Sequence, residues 1–152
     1  MFLSKTPGKL DAKGRLLVPA SFRASLTAAD GSATCYLRRS FEGAFLEGGG
    51  AALMAKYAAL LDQFGPHEDA RADFAYSIFA ACVALTMDSG GRIFPPADLL
   101  SHASITDDLV MVGVGDRFQI WNPALYAARE QEAIARAART KAALRPLSPA
   151  AS

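Results

Sequence analysis

A chain of 152 residues, half of them hydrophobic, fits one medium domain or two very small ones and is too apolar for a disordered segment. A net charge of +1 predicts weak nucleic-acid binding by a single copy, and the most apolar stretch, residues 74–87, is too short to span a bilayer. The opening residues, Met1-Phe-Leu-Ser-Lys-Thr-Pro-Gly-Lys9, hold no long apolar core, so no secretion signal is expected.

In chain order, residues 3–9 and 15–18 read as the two strands of a β-hairpin around Asp11-Ala-Lys-Gly14. In that loop Asp accepts backbone hydrogen bonds and Gly14 takes a positive φ. Pro19 stops the ladder and opens a short helix over 20–26. Strands over 34–38 and 44–47 follow, and Gly48-Gly-Gly50 breaks the chain ahead of a helix over 51–64. Gly65-Pro66 ends that helix, and a second over 69–81 completes a helical hairpin. Next come a strand up to Met87, the loop Asp88-Ser-Gly-Gly91, a strand over 92–94, and a short helix opened by Pro95-Pro96. Strands over 109–114 and 118–121 pair around Gly115-Asp116, and Asn122-Pro123 caps a last helix from Ala124 to about Leu144.

One pattern occurs twice, 77 positions apart: Asp11-Ala-Lys-Gly-Arg-Leu-Leu-Val-Pro-Ala-Ser-Phe22 lies over Asp88-Ser-Gly-Gly-Arg-Ile-Phe-Pro-Pro-Ala-Asp-Leu99. Asp, Gly, Arg, Pro and Ala recur at the same offsets, and the apolar pairs Leu16/Ile93, Leu17/Phe94 and Phe22/Leu99 recur in kind. Two copies of one small unit are implied, each presenting an arginine at the same place. Each half is marginal as an independent core, so the copies are expected to pack together. The expected organisation is a first unit over 1–50, a connecting helical hairpin over 51–82, a second unit over 83–123, a C-terminal helix over 124–145 and a mobile tail over 146–152.

Catalysis has little support. His67 and His102 are isolated, without metal spacing or a nucleophile motif, and read as surface or capping side chains. Asp107-Asp108 reads as a solvated turn, and Gly48-Gly-Gly50 and Gly113-Val-Gly115 lack the lysine, the serine and the strand-to-helix setting of a phosphate loop. Trp121 reads as packing against the helix it precedes. Cys35 and Cys82 read as buried free thiols of a reducing compartment, with a disulfide between the halves left open to geometry. No enzymatic activity, cofactor, metal or small-molecule substrate is expected.

The charge is unevenly spread. Residues 1–40 carry seven basic and two acidic side chains, residues 41–120 four and eleven, and residues 121–152 five and two. A polyanion is drawn to the first segment and repelled by the second. A hairpin loop followed at once by arginine sets a cationic fork near the tip of a β-ribbon, which fits the DNA major groove and can bond guanine O6 and N7 together. Arg15 and Arg92 are therefore candidate base readers, and Lys13 and Lys9 candidate phosphate contacts. Spacing equally allows Asp11 and Arg15 to close the loop by an ion pair, leaving Arg15 unavailable.

Three motifs together, Asp11-x-Lys-Gly-Arg15-Leu-x-x-Pro19-x-x-Phe-Arg23, Asp88-x-x-Gly-Arg92-Ile-x-x-Pro-Pro96 and Val112-Gly-Val-Gly-Asp-Arg-Phe-x-Ile-Trp121, resemble the MraZ family of bacterial transcriptional regulators over about residues 3–130. The resemblance implies an α+β fold of tandem swapped-hairpin, AbrB-like β-barrel units with flanking helices and a pseudo-two-fold within one chain. It further implies a cytoplasmic, nucleoid-associated repressor with no membrane partner. Assembled as a homo-oligomeric ring, it would bind short G-rich direct repeats upstream of the division and cell-wall gene cluster. The family's Asp-x-x-x-Arg motif carries DNA binding to Arg15 and Arg92. Gly48-Gly-Gly50 stands where bulkier residues are usual, which implies a looser junction, and Gly90 stands at the position of Lys13, so the first loop is expected to dominate. The remaining alternatives are an antitoxin-type module with a protein partner and an oligomeric scaffold that meets DNA incidentally.

Overall fold

The strand after the first loop does not pair back on the strand before it. In the computed structural model, which describes residues 1–146, β1 (Lys5–Lys9) and β2 (Leu16–Leu17) flank that loop, and each finds its partner in the other copy of the repeat. β1 lies antiparallel to β7 (Asp108–Gly113), with Lys5 opposite Val112 and Lys9 opposite Asp108. Reciprocally, β5 (Val83–Thr86) lies antiparallel to β3 (Thr34–Arg39), and β2 pairs with β6 (Arg92–Ile93). The local hairpin expected over 3–18 is thus a swapped one. Exchanging strands lets two copies, each too small for a core, bury one core in common.

With β4 (Leu46–Gly49) and β8 (Phe118–Trp121), the strands form a six-stranded sheet in the order β1-β7-β8-β4-β3-β5, plus the separate β2-β6 ribbon. That order reads alike from either edge once the halves are exchanged. Leu16 faces its repeat mate Ile93, and Glu47 faces Gln119 at the middle of the β4–β8 register, so a pseudo-two-fold axis runs between both pairs. The sheet is not closed into the expected barrel, because β1 and β5 remain its two edges. Pro7, which has no N–H to donate, sits in edge strand β1.

Helices α1 (Ala20–Leu26) and α4 (Ala97–His102) each start after a proline that fixes φ near the helical value, Pro19 and Pro96. Both cover the core, in which Phe2, Phe22 and Phe118 meet pairwise with ring centroids 5.3 Å apart. α2 (Ala51–Leu61) and α3 (Asp69–Ala75), the latter extended by one π turn over Tyr76–Ala80, fold on each other through Tyr57, Phe74 and Ile78. α5 (Pro123–Ala143) is capped by Asn122 Oδ1, which accepts from the N–H groups of Ala124 and Leu125 at 2.9 and 3.2 Å. Beyond Glu130 every described residue of α5 is exposed, so its distal half projects from the body. The mobile tail expected over 146–152 lies outside the described residues from Leu147 on.

The glycine run neither breaks the chain nor loosens the junction. Gly48 and Gly49 are buried within β4, where an added Cβ would come within 2.5 Å of the Phe118 ring and of Leu53, respectively. Close approach of a ring and a helix demands the absence of a side chain there.

Candidate nucleic-acid interface

Each loop is built around its aspartate. Asp11 Oδ1 accepts the N–H groups of Lys13 and Arg15 at 3.0 and 2.8 Å, and the Asp11 N–H donates to the Arg15 carbonyl. Asp88 Oδ1 likewise accepts from Gly90 and Arg92 at 2.9 Å, and its own N–H donates to the Arg92 carbonyl. Gly14 and Gly91 close the loops at φ of 81° and 79°, a left-handed conformation that glycine adopts without penalty. The Arg15 and Arg92 backbone N–H groups, first among several causes, hold the Asp11 and Asp88 carboxyls below the usual range.

The β2-β6 ribbon carries these loops to one surface. Leu16 and Ile93 point into the core, so the period of two turns Leu17 and Arg92 outward, flanked by Arg15 and Phe94. Phe94 is 60% exposed and Leu17 49%.

The two arginines differ in their bonds. Arg15 Nε donates to Asp11 Oδ2 at 2.9 Å, and its Nη1 lies 3.7 Å from Asp88 of the other loop. The ion pair that spacing allowed therefore exists, yet the side chain remains 35% exposed, braced at Nε by Asp11. Arg92 has no carboxylate within ion-pair distance among the described residues, and its Nη1 folds over Gly90, where a Cβ would fall 2.5 Å away. Lys13 is exposed at the first loop with no partner for its ammonium among the described residues. Lys9 pairs at the surface with Asp107 at 3.3 Å.

A cation that spacing did not single out joins the second loop. Arg23 donates from Nη1 to the Val18 carbonyl at 2.6 Å and lies across Gly91, where a Cβ would meet its side chain within 2.6 Å. Its repeat mate is Leu100, so the first half lends an arginine to the loop that lacks a lysine. The only signal in the sequence was its place at the end of the first motif.

The basic opening segment is less basic than its count. Lys5 pairs with Glu130 at 2.8 Å, and Arg38 is buried against Glu47 at 2.5 Å. Tyr57 Oη accepts from Arg38 at 3.1 Å and also from Arg117, whose guanidinium further pairs with Asp116 and Glu47. This buried cluster fastens α2 to the sheet.

Elsewhere the chemistry is structural. His102 Nε2 bonds the Gly43 carbonyl at 2.9 Å, and His67 is exposed. Cys35 and Cys82 are both free, and burial pushes the Cys35 thiol up to about 12. Trp121 stacks on Phe45 with centroids 4.3 Å apart and meets Tyr126 of α5 edge-on. Among the described residues no His/Cys/Asp/Glu cluster could hold a metal ion, and no helix is long and apolar enough to cross a membrane.

Interleaved strands, a short ribbon on the pseudo-two-fold and paired Asp-x-x-Gly-Arg loops define a tandem AbrB-like swapped-hairpin protein. A family model described as "MraZ protein, putative antitoxin-like" matches residues 78–147. The "Transcriptional regulator MraZ" of Gluconobacter oxydans is 39% identical over 97% of this chain and 92% of its own length. Those of Azorhizobium caulinodans and Caulobacter vibrioides are 36% and 35% identical, each over 87% of this chain and 83% of their own length. The chain belongs to the MraZ family, whose named role is regulatory and not enzymatic.

Proposed function

We propose that this chain is a sequence-specific DNA-binding repressor that reads base edges with Arg15 and Arg92. Its targets are short G-rich direct repeats upstream of the division and cell-wall genes, and it works in the cytoplasm at the nucleoid. The observation that carries the reading is the convergence of Arg15 and Arg92 on a two-stranded ribbon, with Lys13 in the first loop and Arg23 against the second. A ribbon of that width enters the major groove, and a braced guanidinium loses little freedom on bonding guanine. Lys13 and Lys9 supply contacts to phosphate without sequence preference.

One copy offers few cations, so tight binding comes from several copies on repeated sites, where later contacts become intramolecular. The projecting half of α5 offers a surface for contact between copies, and head-to-tail contact that closes on itself forms a ring.

The test is binding of a promoter fragment carrying several repeats by the wild type, Arg15→Ala and Arg92→Ala across a salt series. Wild-type affinity should fall steeply with salt, and each substitution should cost about 1–3 kcal/mol per lost bidentate contact. Unchanged affinity in both variants sinks the assigned roles.

The antitoxin-like wording of the family description favours a second reading, a module whose main partner is a protein. Size-exclusion mass with and without the repeat DNA separates the two, since an assembly indifferent to the repeats fits a protein partner or a scaffold.

A further inference from the structure

Phe94 and Leu17 are repeat mates, and both stand on the outward side of the ribbon, at 60% and 49% exposure. Single exposed apolar side chains are ordinary. Two at symmetry-related positions, each set beside an arginine of the opposite copy, form a pattern that chance exposure does not supply. Leu17 lies directly opposite Arg92 in the ladder, and two residues along, just past the Leu16–Ile93 pair, Phe94 flanks Arg15. The Phe94 ring is seated as well, its edge 3.9 Å from where a Cβ on Gly14 would be. Each half of the pseudo-two-fold thus presents one guanidinium and one apolar group side by side.

A phosphate would engage the cations and leave the apolar groups wet. The major-groove edge of duplex DNA offers both kinds of partner: paired acceptors on guanine and one apolar group, the C5 methyl of thymine. Resting on the DNA-binding reading above, we infer that Phe94 and Leu17 contact thymine methyl groups next to the guanines bonded by Arg15 and Arg92. The ribbon then reads guanine and thymine together, which phosphate contacts cannot do.

The experiment compares two synthetic duplexes of the chain's own upstream region, one with thymine and one with deoxyuridine throughout. Removing a contacted methyl should weaken wild-type binding about fourfold, the equivalent of about 0.8 kcal/mol for one buried carbon group. Two contacts per subunit should give about fifteenfold. The salt dependence should be the same on both duplexes, because phosphate contacts are unchanged. The double variant Phe94→Ala, Leu17→Ala removes only exposed side chains; it should bind both duplexes equally, near the wild type's affinity for the deoxyuridine one. The wild-type comparison needs no variant and decides alone if the double variant melts early. Equal wild-type affinity for both duplexes overturns this inference and leaves the arginine reading standing. Failure to bind either duplex overturns both.

Discussion

The two halves share a backbone and differ in what their side chains do with it. In the first half the sheet meets α2 through buried charge, with Arg38, Glu47 and Tyr57 joined to Arg117. In the second, the equivalent level is uncharged: Gln119 replaces Glu47, and Trp121 sits between Phe45 and Tyr126. The loops diverge in the same sense. Arg15 is held by two carboxylates, while Arg92 has none within ion-pair distance among the described residues and borrows Arg23 as a neighbour. Duplication has kept the turn and the strand register, which backbone hydrogen bonds impose, and has let the pairing of charges drift.

The largest test of that comparison is at the pseudo-axis. Glu47→Ala leaves Arg38 buried without its carboxylate, and removing one member of a buried pair costs about 3–5 kcal/mol. Gln119→Ala loses one hydrogen bond, from Trp121 Nε1 at 2.8 Å, for about 1 kcal/mol. Urea denaturation of both variants measures the gap. Equal losses would mean that the two halves are held alike after all.

A smaller effect concerns the loops. Lys13 has no counterpart in the second copy, where Gly90 stands. Lys13→Ala should lower the slope of log affinity against log salt by about 0.9 per subunit bound, with guanine preference intact. An unchanged slope would make the first loop no more electrostatic than the second.

Much of this was legible in the residues. The Asp-x-x-Gly-Arg spacing carried both loops, Pro19 the start of α1, and Asn122-Pro123 the cap of α5, because each is local chemistry. Partner choice was not legible. A strand cannot show in its own spacing that it will pair with β7 of the other copy, so the residues alone read as a hairpin in place. The family resemblance implied the swap, which the strand pairing bears out, and a barrel, which the open sheet does not form. Gly48 and Gly49 looked like a break, since only the packed Phe118 ring and Leu53 reveal why no side chain fits. The charge count named seven bases in the first forty residues but could not see that Lys5, Lys9, Arg15 and Arg38 are engaged by carboxylates. Arg23 fell outside the expected site for the opposite reason: its partner, Gly91, is distant in sequence.

The finest test is a titration. The Asp11 carboxyl is lowered first by the Arg15 backbone N–H, then by the Arg15 side chain, whereas Asp88 is lowered first by the Arg92 backbone N–H, then by that of Gly90, and only after these by the charge of both arginines. Both folded values lie below the ordinary one. The stability these groups contribute is therefore complete above the ordinary carboxylate range and is lost as pH falls through the lowered values. In Arg15→Ala the backbone bonds remain but the side-chain bond and its charge do not, so Asp11 should rise clearly and Asp88 slightly, moving acid loss of loop order to higher pH. In Arg92→Ala, Asp88 should rise slightly and Asp11 stay put. NMR of the two side-chain carboxyl carbons reads both. If Asp88 ignores Arg15, the contact across the loops has no electrostatic weight, and the two arginines act as independent copies of one device.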